Sequence, residues 1–135
     1  MTTIVNNQTI FDGERKAIIK CYMYASDANG ETNVVKIDPS TLNKSASGQS
    51  CTSVIISRLT GIAHGLEVQL LWDATSPVQI EMLPTDTQYT QDYSEFGGLI
   101  NNAGAGKTGK ILATTYDTTT GDSYTLVFEL IKQYG

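Results

Sequence analysis

The sequence predicts an all-β fold, a single-domain antiparallel β-sandwich of Greek-key or jelly-roll-like kind with a long Gly-rich loop. Three observations predict it. Short runs alternate apolar and polar residues at period two, turn residues interrupt them at close spacing, and no segment repeats apolar residues at helical spacing over any length. Six to eight short strands without helices pack most simply as two sheets.

Residues 15–25 place Ala17, Ile19, Cys21, Met23 and Ala25 on one face and Lys16, Ile18, Lys20, Tyr22 and Tyr24 on the other. That alternation is a half-buried strand. Ser26 to Gly30 supplies turn residues, and Thr32 to Ile37 resumes an extended pattern before Asp38-Pro39 ends it, so a hairpin is the simple reading. Residues 1–11, polar with a few apolar side chains, either fold back or reach out as an arm. Residues 40–50 form a polar surface connection.

Thr52 to Leu59 is rich in β-branched residues and reads as a strand ending near Gly61. Leu66, Val68, Leu70 and Trp72 then alternate with polar residues, Asp73 to Pro77 turns the chain, and Val78, Ile80 and Met82 return as a second hairpin strand. From 84 to 109 the pattern dissolves into a long loop holding Tyr89, Tyr93, Phe96, Leu99 and Ile100. Strands resume at Lys110–Tyr116 and at Ser123 to about Lys132, where Tyr124, Leu126, Phe128 and Leu130 share a face.

At 135 residues the chain has the size of one domain, and roughly 65–70% of its unfolded surface is buried on folding. A net charge of −5 leaves no cationic excess for a phosphate backbone, so nucleic acid is not an expected partner. No apolar run approaches the ~20 residues of a membrane span, and Met1 to Asn7 has no secretory character, so membrane is not expected either. Cys21 and Cys51 fit no metal or redox spacing, and two buried thiols are expected, the alternative being a disulfide between facing positions of adjacent strands.

The chemistry-bearing strings are weak. Gly104-Ala105-Gly106-Lys107-Thr108 ends like a phosphate-binding loop, but Asn101 stands where the first Gly belongs and no helix follows. His64 is the only histidine, and with two distant cysteines it makes neither a triad nor a zinc site. Asp27 to Glu31 lacks the later ligands of a calcium loop, and Asp86, Asp92 and Glu95 are the carboxylates expected of a solvated loop. No catalytic residue, cofactor or metal is expected. The loop aromatics Tyr89, Tyr93 and Phe96 carry more information, since aromatics there either tuck onto the sheet or anchor a partner.

The strings Asp12-Gly13-Glu14-Arg15-Lys16, Ile37-Asp38-Pro39-Ser40, Phe96-Gly97-Gly98-Leu99, Gly109-Lys110-Ile111-Leu112, Thr114-Thr115 and Gly121-Asp122-Ser123-Tyr124-Thr125 follow one another over about residues 12–132. In that order they resemble small virion structural proteins of tailed bacteriophages, of the kind that decorate or cement the capsid shell. The resemblance implies a non-enzymatic protein made in the host bacterial cytoplasm and carried on the capsid surface. Its partner would be the major capsid protein, and by analogy it would be a homo-oligomer, with a trimer favoured. Tyr22, Tyr24, Tyr89, Tyr93, Phe96 and Leu99 are the expected contact residues. Two other readings stand beside it: a neck or tail component, or a ligand- or carbohydrate-binding sandwich with its site at the Gly-rich loop and Trp72. A hydrolase or nucleotide-dependent enzyme using Lys107 or His64 is the remotest.

Overall fold

In a computed structural model that describes residues 4–26 and 28–134, nine strands form two antiparallel sheets. They are β1 (Ile4–Asp12), β2 (Lys16–Tyr24), β3 (Val34–Ile37), β4 (Cys51–His64), β5 (Glu67–Trp72), β6 (Val78–Leu83), β7 (Gln88–Asp92), β8 (Ile111–Tyr116) and β9 (Ser123–Tyr134). One sheet runs β1-β2-β9-β4-β7 and the other β3-β8-β5-β6. Pairings are nested, β2 with β9, β3 with β8, β4 with β7 and β5 with β6, as if one long hairpin with its tip at residues 73–77 had been rolled up. That is a jelly roll, with β1 added outside β2.

Period-two alternation is what makes the layers. The inward residues of β2, Ala17, Ile19, Cys21 and Met23, meet those of β9, Tyr124, Leu126, Phe128 and Leu130, and both sets face Val68, Leu70 and Trp72 of β5. Both cysteines are buried and free. Burial pushes the Cys21 thiol up to about 12.

Three expectations are corrected, and one open alternative is resolved. β2 and β3 are not a hairpin: β2 lies between β1 and β9, while β3 crosses to the other sheet and pairs with β8. Alternation reports faces, not partners, so it could not separate those arrangements. Residues 4–11, read as a possible arm, are strand, turned back onto β2 through Gly13, whose amide donates to the Lys16 carbonyl at 2.9 Å. Residues 1–3 lie outside the described residues. β4 does not end near Gly61 but runs to His64, because a glycine is what that position requires: a β-carbon there would lie 2.9 Å from the Thr125 carbonyl oxygen. Lastly, the 84–109 loop contains β7 and a 3-10 turn at Ser94–Phe96.

Two buried cations tie the layers together. A bulge between Val35 and Ile37 turns Lys36 inward beside Ile37, and its ammonium sits 2.6 Å from Glu31, which also accepts from the Tyr124 hydroxyl at 2.5 Å. Lys132 donates to Asp12 at 2.6 Å and to the carbonyls of Gly13 and Asn43 at 2.9 and 2.8 Å, so all three of its protons are used. Burial alone would lower its pKa, but the bond to the Asp12 carboxylate, with Tyr134 close by, raises it.

Candidate interaction surface

The six residues expected to meet a partner do not form one patch. Cross-strand register places Tyr22 opposite Thr125 and Tyr24 opposite Ser123, on the outer face of the five-stranded sheet beside Ile62 and His64. Tyr22 is half-buried and Tyr24 exposed. The loop after β7 attaches instead beside Ile56 and Ser57, level with Ala17 of β2. Seven residues along β2 separate Tyr24 from that level, about 23 Å of strand.

Within the loop the aromatics divide. Tyr89 packs partly against the core and donates to Glu81 of the facing sheet at 2.6 Å. Burial and that bond push its phenol well above the usual range. Tyr93 and Leu99 also pack partly against the core. Leu99 exchanges backbone hydrogen bonds with Ile56 at 2.8 and 3.0 Å, and the amides of Phe96 and Gly98 both donate to the Tyr93 carbonyl. Gly97 ends the 3-10 turn at φ 81°, a left-handed conformation natural to glycine. Asp92 begins it by accepting from the Ser94 amide at 2.9 Å, and bonding to Ser94 lowers its carboxyl pKa. The loop is thus pinned at both ends, yet Phe96 at its tip is 81% exposed and Ile100 is 62% exposed.

The same end of the sheet carries a second exposed aromatic that sequence reasoning missed. Phe11 of β1 lies opposite Ile18, in the cross-strand row that continues through Glu129 to Arg58. Three strand spacings, about 14 Å, separate β1 from β4 in that row. Between them lies a shallow notch of about 130 Å³ lined by Phe11, Ile18, Ser57 and Glu129. Half-exposed Arg58 and Glu129 pair across it at 3.7 Å. The surface is therefore apolar at both flanks, with an ion pair between. The signal for Phe11 was the Asp12–Arg15 turn, which makes the preceding residues a strand.

The alternative chemistries are not assembled. Trp72 is 1% exposed, so it cannot stack on a sugar, and the reading that placed a ligand there is corrected. The Gly104–Thr108 string is strapped to the 73–75 turn: the Ala105 carbonyl accepts from the Thr75 amide, and the Thr108 amide and hydroxyl donate to Asp73. An open cleft of about 530 Å³ lies beside it, with Ser53, Ile100, Asn101, Lys107 and Gln133 in its wall. His64 meets Asp86 at 3.2 Å with both side chains largely exposed. Asp86 and Asp92 stand at opposite ends of β7, about 20 Å apart along the chain, beyond the separation of a glycosidase carboxylate pair. Asp27 of the calcium-like string lies outside the described residues, and Glu31 of that string is committed to Lys36 and Tyr124. Among the described residues no three His, Cys, Asp or Glu side chains are grouped to hold a metal, and no helix is long and apolar enough to cross a membrane.

No family model matches the chain, and no curated protein does. Among solved structures, a mutant of a family 29 carbohydrate-binding module, studied for its ligand recognition, is similar with a TM-score of 0.38 and 10% identity. The match covers 96% of this chain and 93% of that one. Likeness at that level carries no argument about function.

Proposed function

We propose that this chain is a non-enzymatic structural subunit of a tailed-phage virion, a decoration or cement protein that stabilises the head shell by contact with the major capsid protein. What supports the reading is Phe96: a large apolar side chain held 81% exposed at the tip of a loop whose two ends are hydrogen-bonded to the sheet. A rigid loop presenting a bare aromatic loses little conformational entropy when that side chain enters a pocket on a partner. Ile100 on the same loop and Phe11 across the sheet add further exposed apolar side chains at this end.

The sequence resemblance supplies the setting, and the fold is compatible with it, since jelly rolls serve in capsid and lectin domains alike. The subunit acts as a small homo-oligomer on the capsid surface. The test is direct: purified protein is mixed with expanded heads of the source phage, and the heads are pelleted. Stoichiometric co-sedimentation, weakened by Phe96→Ala, is the expected result. Protein that stays in the supernatant with heads, but pellets with isolated tails or necks, would move the reading to those structures.

A further inference from the structure

Sheets in soluble proteins protect their edges, and three of the four edges here are protected. β3 is four residues long and interrupted by a bulge. β6 lies between Pro77 and Pro84 and carries Glu81. β7 is five residues long and ends in Asp92. Shortness, charge, proline and bulges are the usual devices against edge-to-edge pairing.

The fourth edge lacks them over most of its length. β1 is nine residues long, and from Ile4 to Phe11 it holds no charge, no proline and no glycine. Its register with β2 is unbroken from Ile4 to Thr9, with the one irregularity between Thr9 and Phe11. β2 takes one side of it, and among the described residues no strand takes the other. Ile4, Val5 and Ile10 are 56%, 47% and 52% exposed. The eight strands β2–β9 complete the jelly roll without β1, so its outer edge is not needed to close the fold.

We propose that β1 pairs with β1 of a second copy of this chain, antiparallel about a two-fold axis, joining two five-stranded sheets into one of ten strands. Charge and side-chain chemistry select that occupant. The chain carries a net charge of −5, so copies repel over most of their surface, but the Ile4–Phe11 segment is neutral. Its centre, Asn6-Asn7-Gln8, is self-complementary, because each amide side chain both donates and accepts, although Asn7 Nδ2 also reaches the Lys36 carbonyl of β3 at 3.4 Å. An isologous contact of this kind closes at two copies.

Parity fixes the register. Residues directly opposite in one antiparallel sheet point to the same face, so the axis passes through a residue rather than between two. Centred on the unbroken segment, it falls at Asn6, which opposes Ile4 to Gln8, or at Asn7, which opposes Val5 to Thr9. This pairing stands on the sheet edge and does not depend on the virion reading.

Mass measured by light scattering and sedimentation equilibrium tests it. The expected particle is twice the 14.6 kDa chain, and Asn6→Lys, which brings a positive charge from each copy to within one residue of the axis, should raise the dimer dissociation constant at least about fivefold. Should that variant misfold, cysteine cross-linking decides. Asn6→Cys or Asn7→Cys should oxidise to a covalent dimer, because same-face partners across a strand pair approach disulfide distance. The native chain should not, since Cys21 and Cys51 are buried, and Thr90→Cys on β7 should dimerise without forming a covalent cross-link. A monomer at high micromolar concentration, a trimer, or cross-linking through Thr90→Cys in place of β1 would overturn the proposal.

Discussion

Replacing Phe96 with alanine separates an anchor from a core residue, and the structure sets the size of both effects. A phenylalanine exposes roughly 200 Å². At 81% exposure folding hides only about 40 Å² of it, which at about 25 cal/mol per Å² is about 1 kcal/mol. Lost stability should therefore lower the melting temperature by no more than about 5 °C. If the remaining ~160 Å² enters a pocket on the capsid, the same coefficient gives about 4 kcal/mol, or nearly three decades in dissociation constant. Paired assays read the two numbers: a thermal melt of the isolated protein, and co-sedimentation with heads over a protein titration. Tyr93→Ala is the contrast. Its ring packs partly against the core, so it should cost more stability than Phe96→Ala and less binding. A large fall in melting temperature for Phe96→Ala with unchanged head binding would refute the assignment.

Three further outcomes follow from the buried groups. Glu31→Gln keeps a partner for the Tyr124 hydroxyl but leaves the Lys36 ammonium buried without a counter-charge, so it should destabilise by about 3–5 kcal/mol in urea unfolding. Lys132→Met removes the counter-charge of Asp12, which keeps the Asn43 amide, and leaves the Gly13 and Asn43 carbonyls without their donor. Hydrogen exchange should quicken first in β1 and at residues 13–16, with about 3 kcal/mol lost overall. Stability should also fall under alkali. Burial raises Cys21 from 9.0 to about 12, so between those values the unfolded chain releases a proton that the folded chain keeps. The loss begins near pH 9 and runs at about 1.4 kcal/mol per pH unit from this group, joined by Tyr124 and Lys132, also raised. Cys21→Ser should flatten the onset, and an equal slope in that variant would show that other groups dominate.

By itself the sequence determined which residues face inward. Alternation in Ala17–Met23, Leu66–Trp72 and Tyr124–Leu130 is a local consequence of the extended backbone, and those residues are the core. The 73–77 hairpin was equally legible, because a five-residue turn between two alternating strands leaves few other partners. Strand order was not, since alternation is silent on which strand lies beside which. Only the tertiary structure sent β3 across to β8 and laid Ile4–Asp12 along β2, because backbone pairing between distant segments leaves no mark at period two. It also decided the candidate surface. Trp72 and Phe96 are both large, aromatic and flanked by turn residues, yet one is 1% exposed and the other 81%. Strand packing buries Trp72 between the sheets, whereas Leu99, bonded to Ile56, closes a loop too short to fold Phe96 back inside.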